Sequence, residues 1–198
     1  NSRIFGYRKD DKRLIIDETQ APMVRDLFRL YSTGQYSMKQ LEKRFYDEGF
    51  NVAVLDYRVN PYSYKTTQQD AIRAVRYLRY HAKELNTLPD KIGMMGFSGG
   101  AMLTGWCATK FDQGNPEAAD PVERCSSRPD AAVLCYGAGS WLPVSKGLLG
   151  YDRARFAKFA EDAIERNVTP ACPPFFIWQC AGMDDPRNAT QLTDVLTA

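Results

Sequence analysis

The chain has 198 residues, of which 44% are hydrophobic and 25% charged, with a formal net charge of +2. That length suits one mid-sized domain, or a small domain joined to part of another. No uncharged run approaches membrane-spanning length, and a charge so near neutral selects neither for nor against a nucleic-acid partner. Lys/Arg and Asp/Glu are interspersed, as on a solvated surface. The start, Asn1-Ser2-Arg3-Ile4-Phe5, has no apolar leader and no initiator Met, which reads as a processed or excised segment. The five cysteines, Cys107, Cys125, Cys135, Cys172 and Cys180, are odd in number and form no C-x-x-C pair. Cys107, Cys135 and Cys180 sit in apolar runs, so a reducing, cytoplasmic setting is expected. A Cys125–Cys172 bridge has nothing specific behind it. With one His, His81, and no clustered ligands, neither metal nor cofactor is expected.

In chain order, Arg13 to Asp17 reads as a short strand. Val24, Leu27, Phe28 and Tyr31 then fall on one face of a helix. Gly34 is a helix stop, and Ser37 with Gln40 forms a capping-box pattern. Met38, Leu41 and Phe45 place an apolar stripe on a second helix. Two short helices around Gly34 suit either an ordinary α-hairpin or a helix-turn-helix. Phe5-Gly6-Tyr7-Arg8-Lys9-Asp10, Ile16-Asp17-Glu18, Ala21 to Phe28 and Leu30-Tyr31-Ser32-Thr33-Gly34 resemble the recombinase domain of large serine recombinases. The resemblance covers residues 1–47 and implies a DNA contact there. Arg25, Arg29, Lys39, Lys43 and Arg44 are then the residues to meet phosphates, although solvated helix faces carry such residues routinely. The recombinase catalytic domain is not included, so no strand cleavage is expected.

From about Phe50 the grammar changes. Asn51 to Asp56, Ile92 to Met95, Ala131 to Tyr136 and Phe175 to Trp178 are compact apolar runs, which suit strands buried on both faces of a parallel sheet. Between the first two, Ala71, Ala74, Val75, Leu78, Ala82 and Leu85 line one face of a helix over 67–85, stopped by Asn86 and Pro89. Residues 112–130 and 140–173 are connecting excursions, the second with a helix over 152–166. Strand, helix, strand, helix, strand is an α/β signature.

Gly96-Phe97-Ser98-Gly99-Gly100 fits G-x-S-x-G, directly after an apolar strand and before the buried-helix pattern Ala101 to Ala108. That setting marks a serine nucleophile on a strained strand-to-helix turn. Gly96 and Gly100 are expected to relieve a clash two residues either side of Ser98. The Gly99 N–H is expected to face a developing oxyanion. A phosphate-cradling loop is the competing reading, but the Lys of a P-loop is missing. Trp106, Trp141 and Trp178 could line a pocket, with core packing as the default.

The motifs Val54-Leu55-Asp56-Tyr57-Arg58-Val59, Gly96 to Gly100, Ser126-Ser127-Arg128-Pro129-Asp130 and Pro173 to Trp178 resemble the α/β-hydrolase esterases, in particular their acetylesterase and acetyl-xylan-esterase-like branch. The resemblance runs from about Phe45 to Ala198, and the join with the recombinase-like segment falls near Leu41 to Gly49. It implies Ser98 as nucleophile, Gly99 as oxyanion donor and Asp185 as the triad acid, with Asp184 in close competition. Either acid could instead cap the helix that begins near Arg187. The implied substrate is a small acyl ester, such as an acetyl group on carbohydrate.

The family order is Ser, acid, His. Here no His follows Ser98, and His81 precedes it as a helical residue. The expectation is an incomplete α/β-hydrolase over 48–198 with a mainly parallel sheet, lacking its first strands and its histidine loop. A helix-turn-helix-like segment precedes it. Little turnover is expected of these residues alone, and exposed sheet edges predict poor solubility or oligomerisation. A DNA-binding fragment or a non-functional chimera are the other readings.

Overall fold

The computed structural model describes residues 7–10, 13–16, 26, 29–30, 33–36, 40, 43–44, 46, 51–59, 61–136 and 161–178. Near the start, β1 (Tyr7–Asp10) and β2 (Arg13–Ile16) pair as an antiparallel hairpin, Tyr7 opposite Ile16 and Asp10 opposite Arg13. The apolar run in β2 was legible in sequence. Its partner was not, because Arg8-Lys9-Asp10 carries no apolar pattern. Leu30 is helical, and Thr33 returns both its N–H (3.3 Å) and its hydroxyl (2.7 Å) to the Leu30 carbonyl. Gly34 follows at φ +65°, the left-handed conformation that ends a helix. Gln40, Lys43, Arg44 and Tyr46 are helical again. The stripe residues Val24, Leu27, Phe28, Tyr31, Met38, Leu41 and Phe45 lie outside the described residues.

The rest is built on a three-stranded parallel sheet in the order β3 (Gly93–Phe97), β4 (Ala131–Cys135), β5 (Phe175–Trp178). The register pairs Met94 with Ala132 and Ala132 with Phe175, then Gly96 with Leu134 and Leu134 with Ile177. These six residues therefore share one face. Helix α2 (Gly99–Thr109) lies on it, its Ala101 and Ala108 packed with Ala132, Leu134 and Ile164. A side chain at Gly105 would overlap Ile164, so the glycine sets how closely the helix and that residue approach. Fully buried Leu134 contributes about 1.5–3 kcal/mol by removal from water. Helix α1 (Tyr64–Tyr80) packs beside α2 through Ala71 against Leu103 and Cys107, with Leu55, Tyr57, Met94 and Trp106 around them.

Three expectations need correction. Residues 51–59 form no strand. Leu55 and Tyr57 pack against the cluster that α1 and α2 form, while Val54 is 52% exposed. The segment is held by side chains instead of a ladder: Asn51 Nδ2 donates to the Leu85 and Asn86 carbonyls, and Arg58 pairs with Asp70 at 2.5 Å. Thr67 Oγ1 adds a hydrogen bond to the Arg58 carbonyl at 2.7 Å.

Helix α1 begins at Tyr64 and ends at Tyr80 instead of spanning 67–85. Beyond it the chain turns so that Ala82 is buried while Leu85 is exposed, and Asn86 sits at φ +52°. The expected helix over 152–166 lies outside the described residues as far as 160; Glu161 is helical and the chain closes in a single 3-10 turn, Ile164–Arg166.

The excursion over 112–130 is pinned by Arg73, Arg76 and Arg79, which share a face of α1 at i, i+3 and i+6. Arg73 meets Asp120 and Glu123 at 2.6 Å. Arg76 pairs with Asp112 and Glu123 and donates from Nε to the Cys125 carbonyl at 3.0 Å. Asp120 also caps the 3-10 turn Pro121–Arg124 by accepting the Val122 N–H. Cys107, Cys125, Cys135 and Cys172 are free thiols, so Cys125 and Cys172 form no bridge. Among the described residues no helix is long and apolar enough to cross a membrane, and no group of His, Cys, Asp or Glu is arranged to hold a metal ion.

Candidate active site

The sequence places a small-residue turn between the end of β3 and the start of α2, and Ser98 occupies it as the N-cap of α2. Its backbone stands at φ 51°, ψ −118°, a conformation that costs a non-glycine residue on the order of 1–3 kcal/mol. The surrounding backbone holds it there. The Ser98 N–H donates to the carbonyls of Tyr136 (2.8 Å) and Cys135 (3.0 Å). The Ser98 carbonyl accepts from the N–H groups of Ala101 (2.9 Å) and Met102 (3.2 Å). Ser98 is exposed and its hydroxyl makes no capping bond. It sits at the C-terminal end of a parallel sheet, where open α/β folds bind ligands.

The flanking glycines divide the work differently from the expectation. A Cβ at Gly96 would overlap the Gly100 carbonyl, so Gly96 is required by the close approach of strand and helix. Gly100 has open space where its Cβ would stand, so its lack of a side chain is not what avoids the clash. Among the described residues the Gly99 N–H donates to no acceptor. It lies at the N-terminus of an eleven-residue helix, whose dipole favours negative charge. An exposed hydroxyl beside a free, pre-oriented N–H is the arrangement that attacks a carbonyl carbon and stabilises the resulting oxyanion.

Burial pushes Cys107 and Cys135 up to about 12, leaving them protonated at neutral pH.

His81 stands elsewhere. It is the C-cap of α1, its Nδ1 2.7 Å from Glu84 and its ring 4.2 Å from that of Tyr77. Two residues before it, Arg79 Nη2 meets Asp130 at 2.8 Å, and the Asp130 carboxylate accepts the Ile92 N–H at 2.9 Å. That end of α1 therefore accompanies the N-terminal ends of β3 and β4. Ser98 is at the opposite end, roughly 16 Å away along a five-residue strand. His81 is thus not the base of this serine, in keeping with its reading as an ordinary helical residue, although it caps the helix instead of lying within it. Asp184, Asp185 and Trp141 lie outside the described residues. Trp106 is a partly buried packing residue of the α1–α2 cluster, and Trp178 is 38% exposed at the end of β5.

Two features had no sequence signal beyond resemblance. Tyr136 carries φ +36° just after β4, and its N–H donates to the Trp178 carbonyl at 2.7 Å. The Ser126-Ser127-Arg128-Pro129-Asp130 run is a strand-entry lock. Arg79 donates to the carbonyls of Ser126, Arg128 and Pro89 as well as to Asp130, and Arg128 Nε reaches the Ala171 carbonyl at 2.8 Å.

A strained, exposed serine between a parallel strand and the helix covering that sheet is the turn geometry of the α/β-hydrolase fold. Residues 31–196 match the BD-FAE family model, and the chain belongs to that family. The match begins inside the segment that resembles a recombinase domain; the β1–β2 hairpin precedes it. The chain is 33% identical over 147 residues to endo-1,4-beta-xylanase B of Butyrivibrio fibrisolvens, covering 68% of this chain and 22% of that protein. Among solved structures it is similar to an acetyl ester-xyloside bifunctional hydrolase of Caldicellulosiruptor lactoaceticus. That pair has 34% identity and a TM-score of 0.63, over 72% of this chain and 54% of the other. A sugar hydrolase of Lactococcus lactis, at 22% identity and a TM-score of 0.58, over 79% of this chain and 60% of that one, shares the fold. The chain therefore spans 22% of the length of the curated relative and 54% of the first of these structures.

Proposed function

We propose that this chain carries the nucleophile half of a serine esterase acting on small acyl esters, acetyl groups on carbohydrate in particular. The observation that carries the reading is the backbone of Ser98, held at φ 51° with a free hydroxyl beside the free Gly99 N–H. The relatives named for xylanase and acetyl ester-xyloside hydrolase activity support acetylated xylan as the substrate class. In this mechanism Ser98 Oγ attacks the acetyl carbon and the Gly99 N–H donates a hydrogen bond to the oxyanion. The sugar alkoxide then leaves with a proton, and water releases acetate from the acyl-serine. Those protons need an imidazole, which Asp185, or Asp184 beside it, would orient; His81 is not placed to serve. The 198 residues contain no His beyond Ser98, so slow deacylation and little turnover are expected of them alone.

The test is mass spectrometry after exposure to an activated acetate ester. An acetyl group on the peptide carrying Ser98, absent from Ser98→Ala, supports the reading. Acetate release at the same rate by both proteins, with no adduct on Ser98, overturns it. The free thiols favour a reducing, cytoplasmic setting on this reading.

A second reading concerns residues 1–47. We infer it from the resemblance of these residues to a recombinase domain, which implies contact with duplex DNA; a turn at Gly34 with helical residues on either side, preceded by the β1–β2 hairpin, is compatible with it. Binding that weakens steeply with salt and is lost on deleting 1–47 supports it. No binding at low salt overturns it.

A further inference from the structure

Two non-glycine residues with strained backbones face each other across the ends of β3 and β4. Ser98 stands at φ 51° and Tyr136 at φ 36°, and the Ser98 N–H donates to the Tyr136 carbonyl at 2.8 Å. A positive φ is a genuine outlier for a bulky side chain. Such strain persists only where the surroundings over-determine it. The surroundings of Tyr136 do so from two directions. Its N–H donates to the Trp178 carbonyl at 2.7 Å. Its ring lies between those of Phe97 and Trp178, 6.0 Å from each, tilted to the first and edge-on to the second. Phe97 is the residue directly before the nucleophile, and Trp178 ends the strand that leads toward Asp184 and Asp185.

We infer that Tyr136 is a positioning residue for Ser98: its ring, gripped by Phe97 and Trp178, holds its backbone in the left-handed region and so presents the carbonyl that anchors the Ser98 N–H. The inference rests on Ser98 being the nucleophile. It assigns Tyr136 no contact with substrate. A relay of two backbone hydrogen bonds, Ser98 to Tyr136 and Tyr136 to Trp178, then ties the serine turn to the end of β5. The geometry of the nucleophile and that of the strand leading to the acid loop are set together.

Amide hydrogen exchange of the whole chain tests this without any ester turnover, so it stands apart from failure of the esterase reading. Tyr136→Phe keeps the ring, and Ser98 amide protection should remain within about threefold of wild type. Tyr136→Val, β-branched at a positive φ and without a ring, should lower Ser98 protection by at least about tenfold while amides inside α1 change by less than about threefold. Tyr136→Gly adopts a positive φ freely and should fall between the two. Should the Val variant not fold, the Phe and Gly variants carry the test. The inference is overturned if Tyr136→Phe loses protection as Tyr136→Gly does. Wild-type protection in Tyr136→Val or in Tyr136→Gly, or an equal fall at Ser98 and in α1, overturns it as well.

Discussion

A side chain added at Gly96 would run into the carbonyl oxygen of Gly100, while a side chain added at Gly100 would meet open space. The two outer glycines of one motif thus carry different constraints. Gly96→Ala should destabilise the fold by about 1–3 kcal/mol, the range for a forced overlap in a packed site. Gly100→Ala should be neutral or stabilising by up to about 1 kcal/mol, as alanine replaces glycine inside a helix. Urea unfolding midpoints of the two variants decide this, and equal losses would contradict it.

Ser98 stores backbone strain at φ 51°. Ser98→Gly should raise stability by about 1 kcal/mol, since glycine takes φ 51° without penalty, while removing all acylation at this position. Ser98→Ala should remove acylation and leave stability near wild type. Thermal unfolding of both variants reads the difference. A lower midpoint for the glycine variant would show that the turn is not strained.

Arg79 ties the end of α1 to the entrances of β3 and β4, with its side chain only 15% exposed. Arg79→Met should cost about 2–4 kcal/mol, because Asp130 and three carbonyls lose a donor together. Arg79→Lys should recover little of that, since an ammonium cannot span four acceptors arranged for a guanidinium. Recovery of most of the stability by lysine in chemical denaturation would refute the fork geometry.

Acid should loosen the link between residues 51–59 and α1. The side-chain hydrogen bond from Arg58 holds the Asp70 carboxyl below its ordinary value of 3.8, and the Arg58 N–H adds to it. A lowered folded-state pKa means stabilisation that is complete above the ordinary value and is lost as pH falls through the lowered one. The stability difference between wild type and Asp70→Asn should therefore be largest near neutral pH, begin to shrink as pH falls below 3.8, and vanish only below the lowered folded-state value. Salt should shrink it, as the pair is partly exposed. A difference independent of pH would mean that Asp70 acts by packing alone.

Much of this site was legible without coordinates because it is local. An apolar strand, a glycine-flanked serine and an apolar helix follow one another without a break, and local sterics allow few other ways to connect them. The same holds for β4 and β5, whose unbroken apolar runs demand burial on both faces. The run at 51–56 misled for an instructive reason. Its residues have the composition of a strand, but whether they join a ladder depends on what lies beside β3, and there Arg58 and Thr67 tie the segment to α1 and Asn51 ties it to the turn beyond α1 instead.

The chain order of residues determined the glycine-flanked serine turn and the parallel α/β class. Distances between residues far apart in sequence were decided by the tertiary structure alone. It set His81 at the opposite end of the sheet from Ser98, replaced the predicted first strand by side-chain ties, and brought Tyr136 against the serine turn. A motif can specify its own backbone because its strain and its relief lie within a few residues. What braces it comes from the next strand, thirty-eight residues on, and only packing brings the two together.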